Sequence, residues 1–303
     1  MPEATLPSPA SRPAHWVVAA LYQFRPLDDP AGLRADLQRL AARLDLCGTL
    51  IVAPEGINGT VAGSRAATDE LHAFLRAAGF DRLEYKESLS EERPFKRLKV
   101  RLKREIVTLG VPVQPLAQVG EYLTPAEWNA LLDDPDVVVV DTRNRYEVQA
   151  GTFQGAVNPE LDSFREFPAW VEAHREDLAG RRVAMFCTGG IRCEKSTSLL
   201  RTLGFDDVFH LRGGILRYLE EVPEAQSRWE GECFVFDGRV TVGHGLTPGQ
   251  SEGCHSCGWP LTPQDTRHPH FERGVSCPHC FGTTTGEQKA GFRERQRQYG
   301  ARG

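Results

Sequence analysis

Hydrophobic positions in the first third of the chain fall into two alternating periods. Val17 to Phe24 is an apolar run of strand length, and Asp29 to Leu46 carries Leu33, Leu37, Leu40 and Leu44 at the spacing of one helix face. Gly48 to Ala53 and Ile57 to Ala62 are two further strand-like runs, joined by the turn Pro54-Glu55-Gly56. Ser64 can cap a helix that runs through Leu71, Phe74 and Leu75 to a stop at Gly79. Leu98 to Leu102 reads as the last strand. The order β-α-β-β-α-β predicts an α+β unit over residues 15–112 with a ferredoxin-like (acylphosphatase-like) fold: two helices on one face of a four-stranded antiparallel sheet.

The pattern changes after a Pro- and Gly-containing linker, Val111 to Gly120. Thr124-Pro125 is an N-cap followed by proline at the first helical position. Val137 to Val140 and Val183 to Phe186 are continuous apolar runs, which suits strands buried on both faces, and Val208 to Leu211 adds a third. Helices fit between them, around Phe164 to Glu176 and Glu194 to Leu203. Strands alternating with helices predict a parallel α/β sheet over residues 118–228. A tail, 229–303, starts with a hairpin from Phe234 to Val242 around Asp237-Gly238 and continues into a Cys-rich segment.

Composition narrows the class. The 303 residues are 40% hydrophobic and 25% charged, as in a globular protein of two or three domains. A net charge of -5 gives no global sign of nucleic acid, so any such signal must be local. No apolar run is long enough to cross a bilayer. Residues 1–14 are rich in proline and small residues, lack the apolar core of a signal peptide, and read as a flexible N-terminus. Those features predict a cytoplasmic location, where thiols stay reduced. The eight cysteines are then reactive groups, metal ligands or buried fillers rather than disulfides.

The sharpest chemical signal is Phe186-Cys187-Thr188-Gly189-Gly190-Ile191-Arg192-Cys193. A buried strand delivers Cys187 to its C-terminal end, where parallel sheets bind ligands. Gly189 and Gly190 let the backbone curl so that several N–H groups face one point. A helix starting near Cys193 adds its positive end, and Arg192 adds a full charge. Each feature favours thiolate over thiol, so the Cys187 pKa is expected to be depressed. Cys193 could be a resolving thiol or a packing residue.

These residues carry a resemblance. Cys187-x-x-Gly190-x-Arg192, with Asp141-Thr142-Arg143, Tyr146-Glu147, Gly151, Gly155-Ala156-Val157-Asn158 and Leu211-Arg212-Gly213-Gly214-Ile215, resembles the motif set of rhodanese domains. With Glu55-Gly56-Ile57-Asn58-Gly59-Thr60 and the Cys-rich tail, the whole chain resembles the bacterial tRNA uridine(34) hydroxylases. That resemblance implies tRNA as partner, molecular oxygen as co-substrate, conversion of the wobble uridine to 5-hydroxyuridine, and Cys187 as the active residue. The sequence carries no flavin, haem or nucleotide motif. Two other readings stand beside it: a sulfurtransferase carrying a persulfide on Cys187, and a non-catalytic RNA-binding adaptor.

Three further constellations bear on these readings. Arg97, Lys99, Arg101 and Lys103 alternate with Leu98, Val100 and Leu102. On a strand the apolar set would face the core and the four cations one exposed face, available to tRNA phosphates or to solvent. Glu55 to Thr60 is either a simple turn or a contact to a base or to the second domain. Cys254-x2-Cys257 and Cys277-x2-Cys280, nineteen residues apart, have the spacing of a zinc-ribbon-like site, with four thiolates holding one structural zinc. Lys289, Arg293, Arg295 and Arg297 form a basic end, read as solvated. Oligomeric state is not legible.

Overall fold

The computed structural model describes residues 15–300; the expected flexible N-terminus, 1–14, lies outside the described residues. The first unit contains β1 (Trp16–Phe24), α1 (Pro30–Arg43), β2 (Cys47–Ala53), β3 (Gly56–Gly63), α2 (Arg65–Ala77), β4 (Glu84–Ser90) and β5 (Leu98–Leu102). Asp29 caps α1 and Ser64 caps α2, each by accepting a backbone N–H with its side chain.

The sheet order is β4-β1-β3-β2-β5. Its first four members form the ferredoxin-like arrangement, so the expected fold class holds. The strand assigned to its fourth place does not. Glu84–Ser90 fills that place, antiparallel to β1, whereas Leu98–Leu102 is an added fifth strand parallel to β2. Leu102, expected in the core, is 47% exposed at the end of this edge strand, while Val100 is buried.

Alternation divides the sheet into two faces. Ala19, Leu21, Leu50, Val52 and Val100 pack under α1 and α2 with Leu37, Leu71 and Leu75. Val18, Ala20, Tyr22, Thr49, Ile51, Asn58 and Thr60 point the other way, toward the second unit.

That unit comprises β6 (Glu121–Leu123), α3 (Pro125–Leu132), β7 (Val137–Asp141), α4 (Arg145–Val148), β8 (Gly151–Phe153), α5 (Phe167–Ala173), α6 (Arg175–Leu178), β9 (Arg182–Phe186), α7 (Ile191–Thr202), β10 (Val208–Leu211) and α8 (Gly214–Glu221). Strands β6-β10-β9-β7 pair in parallel. Their faces are both covered. Ala184 and Phe186 join a core with Trp128, Ile215 and Tyr218, while Val183 and Met185 join one with Phe167, Val171 and Leu200. The helix expected at Phe164 to Glu176 is broken into a single 3-10 turn, Phe164–Glu166, followed by α5 and α6.

The tail adds β11 (Trp229–Gly231), the hairpin β12 (Cys233–Phe234) and β13 (Thr241–Val242), the pair β14 (Glu252–Gly253) and β15 (Pro260–Leu261), and α9 (Gly286–Gly300). No described helix is long and apolar enough to cross a membrane.

Candidate active site at the Cys187 loop

Strand β9 ends at Phe186 and leaves Cys187 at its C-terminal end, 1% exposed. The chain then turns through Gly190, whose φ of 100° suits glycine, straight into α7. The Gly190 N–H donates to Cys187 Sγ at 3.2 Å. The start of α8 clamps the loop from outside. Ile215 N–H donates to the Cys187 carbonyl at 3.0 Å and Leu216 N–H to that of Thr188 at 3.1 Å. Gly214 makes this approach feasible, since a Cβ there would lie 2.4 Å from the Cys187 carbonyl oxygen.

The electrostatics favour the thiolate. Burial opposes ionisation of Cys187, but hydrogen bonding from Cys193, the Arg192 charge and the backbone N–H groups of Cys193 and Arg192 outweigh it and bring the pKa to about 6. Cys193, buried beside it, is pushed well above the ordinary thiol value by burial and by Cys187, and thus keeps its proton. Thr142 Oγ1 lies 3.8 Å from its sulfur.

Arg192 is not a free cation. Its guanidinium grips the buried Glu147 carboxylate with bonds of 2.7 and 2.6 Å, and Thr188 Oγ1 donates to the same carboxylate at 3.3 Å. Although burial works against it, Arg192 holds the Glu147 carboxyl below its ordinary range. Glu147 therefore offsets part of the charge that Arg192 offers to Cys187, and locks the helix that follows the thiol. Removing one partner of such a buried pair costs about 3–5 kcal/mol. In the sequence Glu147 stands only within the motif Tyr146-Glu147, and nothing local marks it as the partner of a residue 45 positions away.

Cys187 opens onto a cleft of about 630 Å³ between the helix-free face of the first sheet, the loop and the tail hairpin. Tyr22, Asn58, Lys86, Tyr146 and Phe236 also line it. Burial lowers the Lys86 pKa to about 8, assisted by the Arg217 charge. The Glu55–Thr60 segment forms part of the contact between units. Glu55 pairs with the buried Lys195 at 2.8 Å, Glu105 joins that lysine at 2.6 Å, and Asn58 Nδ2 donates to the Ile106 carbonyl at 2.9 Å. Asn58 thus ties the Ile106 segment to β3 within the first unit, next to Glu105, and faces the cleft. Glu194, next to Lys195, accepts hydrogen bonds from Tyr22 at 3.1 Å and Tyr122 at 2.7 Å. Tyr22, Glu105 and Tyr122 stood out by no spacing in the sequence, because the fold alone brings them together.

Arg97, Lys99, Arg101 and Lys103 are all exposed. Lys99 pairs in register with Thr49 and Arg101 with Ile51, and both partners line the cleft. Lys99 and Arg101 therefore share the cleft face of the sheet, at its edge. The basic end of the chain is largely engaged: Arg293 pairs with Glu272, Arg297 with Glu294, and Lys289 sits over Phe281.

The sulfurs of Cys254, Cys257, Cys277 and Cys280 lie within 4.8 Å of one another, with no disulfide among the described cysteines. Tetrahedral metal–sulfur bonds of about 2.3 Å would separate the sulfurs by roughly 3.8 Å, so the four thiols fit one metal ion. Observed separations are 4.0 Å for Cys254–Cys280, 3.7 Å for Cys257–Cys277 and 3.6 Å for Cys277–Cys280. His279 faces elsewhere, stacked on Trp259. Trp259 donates to Gln149, and its ring meets Tyr146, so this knuckle braces the helix that carries Glu147.

A thiolate delivered by an inner strand of a parallel sheet into a glycine loop at a helix N-terminus defines a rhodanese-domain protein, here joined to an acylphosphatase-like unit. Family models agree: the UPF0176 acylphosphatase like domain matches residues 16–106 and the rhodanese-like domain residues 124–221. The tRNA uridine(34) hydroxylase of Deinococcus radiodurans is 72% identical over 296 residues, covering 98% of this chain and 99% of that protein. That of Acinetobacter baumannii (strain AYE) is 58% identical, covering 95% and 92%, and that of Mesorhizobium japonicum 56%, covering 96% and 94%. The chain belongs to the tRNA uridine(34) hydroxylase family.

Proposed function

We propose that this protein hydroxylates the wobble uridine of tRNA to 5-hydroxyuridine, with molecular oxygen as co-substrate and the Cys187 thiolate as the reactive group. The observation that carries the reading is a thiol whose pKa of about 6 leaves it ionised at neutral pH, at the wall of a cleft lined by both units and the tail hairpin, in a chain similar to such enzymes over 98% of its length. The cleft volume is in the range of sites for small ligands, ample for one nucleobase taken out of its stack. Addition of the thiolate to C6 of uracil would move the C5=C6 electron pair toward C5 and O4, making C5 nucleophilic. Arg192, through Glu147, fixes the helix behind the thiolate. The four tail thiolates hold a structural zinc.

Purified protein incubated in air with unmodified tRNA and an added two-electron donor such as a thiol should give a uridine heavier by one oxygen atom at the wobble position, the second atom of O2 leaving as water, detected by mass spectrometry of the nucleosides. The same mixture without oxygen should not. Thiocyanate formed from thiosulfate and cyanide, with no change in the tRNA, would instead identify a sulfurtransferase. Binding with neither product would leave an adaptor.

Phosphates of the tRNA are assigned to the basic edge, Arg97, Lys99, Arg101 and Lys103. Replacing Lys99 and Arg101 with Gln should weaken binding of every tRNA alike, since phosphate contacts do not read sequence. The log–log dependence of affinity on salt should flatten by roughly one unit for each phosphate no longer neutralised, and less for unpaired RNA. A titration at two salt concentrations decides this: unchanged affinity and slope would make the strand an ordinary solvated edge.

A further inference from the structure

Glu194 is a buried carboxyl with no ion-pair partner among the described residues. Its hydrogen bonds come from two phenols on different sheets, Tyr22 on β1 at 3.1 Å and Tyr122 on β6 at 2.7 Å. Tyr22 lines the cleft beside Cys187, and a Cβ on the loop residue Gly190 would stand 2.9 Å from its hydroxyl. A carboxylate only accepts, so both phenols must then donate to it and the Tyr22 proton is turned away from the cleft. A neutral carboxyl has one O–H to give. The longer bond, to Tyr22, is the one that can invert, while Tyr122 keeps its shorter bond.

We propose that Glu194 sets the direction in which the Tyr22 hydroxyl donates, and that Tyr22 is the hydrogen-bond donor to O4 of the uracil as the Cys187 thiolate adds to C6. This rests on the function proposed above. In the step, the S–C6 bond forms, the C5=C6 π pair shifts toward O4, and Tyr22 stabilises the resulting enolate without losing its proton. No electron is gained or lost. Glu194 acts through Tyr22 and is a positioning residue.

The groups facing Glu194 are Tyr22 from β1, Glu84 from β4, Tyr122 from β6 and Cys187 from the loop. Arg212 lies over the Tyr122 ring at 5.3 Å and His210 at 4.2 Å, and Lys195 is turned to Glu55 and Glu105. Burial raises the Glu194 pKa to about 7, the phenols oppose that rise, and the charges of Glu84 and Cys187 add to it. The productive form combines a thiolate, present above about 6, with a neutral Glu194, lost above about 7. Activity should therefore peak between those values and fall on either side.

The test is single-turnover 5-hydroxyuridine formation at saturating tRNA across pH, with alkylation of Cys187 by iodoacetamide followed in parallel. In wild type the acid limb should track alkylation and the alkaline limb should not. Glu194→Gln reproduces the neutral carboxyl, donating to Tyr22 and accepting from Tyr122, so activity should persist and the alkaline limb should vanish. A role confined to packing would leave that limb in place. Tyr22→Phe should lower kcat roughly 10²-fold, as for loss of an oxyanion donor, with KM for tRNA and Cys187 alkylation little changed. An alkaline limb retained in Glu194→Gln, or a wild-type kcat in Tyr22→Phe, overturns the inference while 5-hydroxyuridine formation stands. A wild-type protein that makes no 5-hydroxyuridine removes both.

Discussion

Cys187→Ser should abolish 5-hydroxyuridine formation, by roughly 10⁴-fold or more, the scale on which loss of a nucleophile is felt. The serine hydroxyl fits the loop and can still accept the Gly190 N–H, so the fold should persist, but it does not ionise in this pH range. Three readouts separate the possible meanings. Wild-type protein should alkylate fastest at Cys187, at a rate that falls below pH about 6 as the thiolate gains its proton. The variant should lose that reaction and keep its affinity for tRNA, because the cationic edge is on another sheet. Full hydroxylation by Cys187→Ser would sink the central assignment. Loss of tRNA binding along with activity would mean that the loop is part of the RNA surface rather than its chemistry.

Stripping the metal from the tail should have the next largest effect. Structural zinc sites in zinc-finger peptides contribute about 10–16 kcal/mol of apparent binding energy at neutral pH, so with the proposed zinc in place a segment with so small a core would depend on the ion for its folding. That core is Cys254, Leu261, Cys277 and Cys280, with Trp259 and Phe271 against it. Elemental analysis should find about one zinc per chain, and Cys277→Ser or a strong chelator should release it and expose the tail to protease. Hydroxylation should fall as well, because Trp259 and its bond to Gln149 brace the helix of Tyr146 and Glu147 behind the thiolate. A metal-free tail that resists protease would remove the ribbon. Iron in place of zinc would put a redox-active metal on the chain.

Both experiments concern features visible in the sequence, and the reason is the same for each. The Cys187 loop is contiguous: strand, thiol, glycines and helix start occur within a dozen residues, and local geometry dictates their effect. The four tail cysteines likewise form two local knuckles. Glu147, Tyr22, Tyr122 and Glu105 were not readable as site residues, because each meets its partner only after the sheets assemble. Strand β4 escaped for another reason. Glu84, Lys86 and Ser88 face the cleft, Tyr85 stacks on His72, Glu87 pairs with Arg65 and Leu89 is exposed, so neither face carries an apolar stripe. With that strand unseen, the next apolar alternation, Leu98 to Leu102, took its place. The difference matters for function, since it moves the cations from the sheet edge beside β1 to the opposite edge, beside β2.

The clasp of Lys195 by Glu55 and Glu105 bears on how substrate is admitted. Tyr22, Phe24, Ala53 and Ile106 pack together around the same seam, with Ile191 against them. Opening the cleft by swinging the units apart would break the clasp and pull Ile191 off that apolar cluster, so these contacts favour a cleft that keeps its shape. Adaptation is then demanded of the RNA. The wobble nucleotide must leave its stack in the anticodon loop and enter the cleft already extruded, at an unstacking cost of a few kcal/mol borne by the tRNA. Loops that are loosely stacked at this position should be modified faster than tightly stacked ones, and that selectivity would operate without any contact to a neighbouring base.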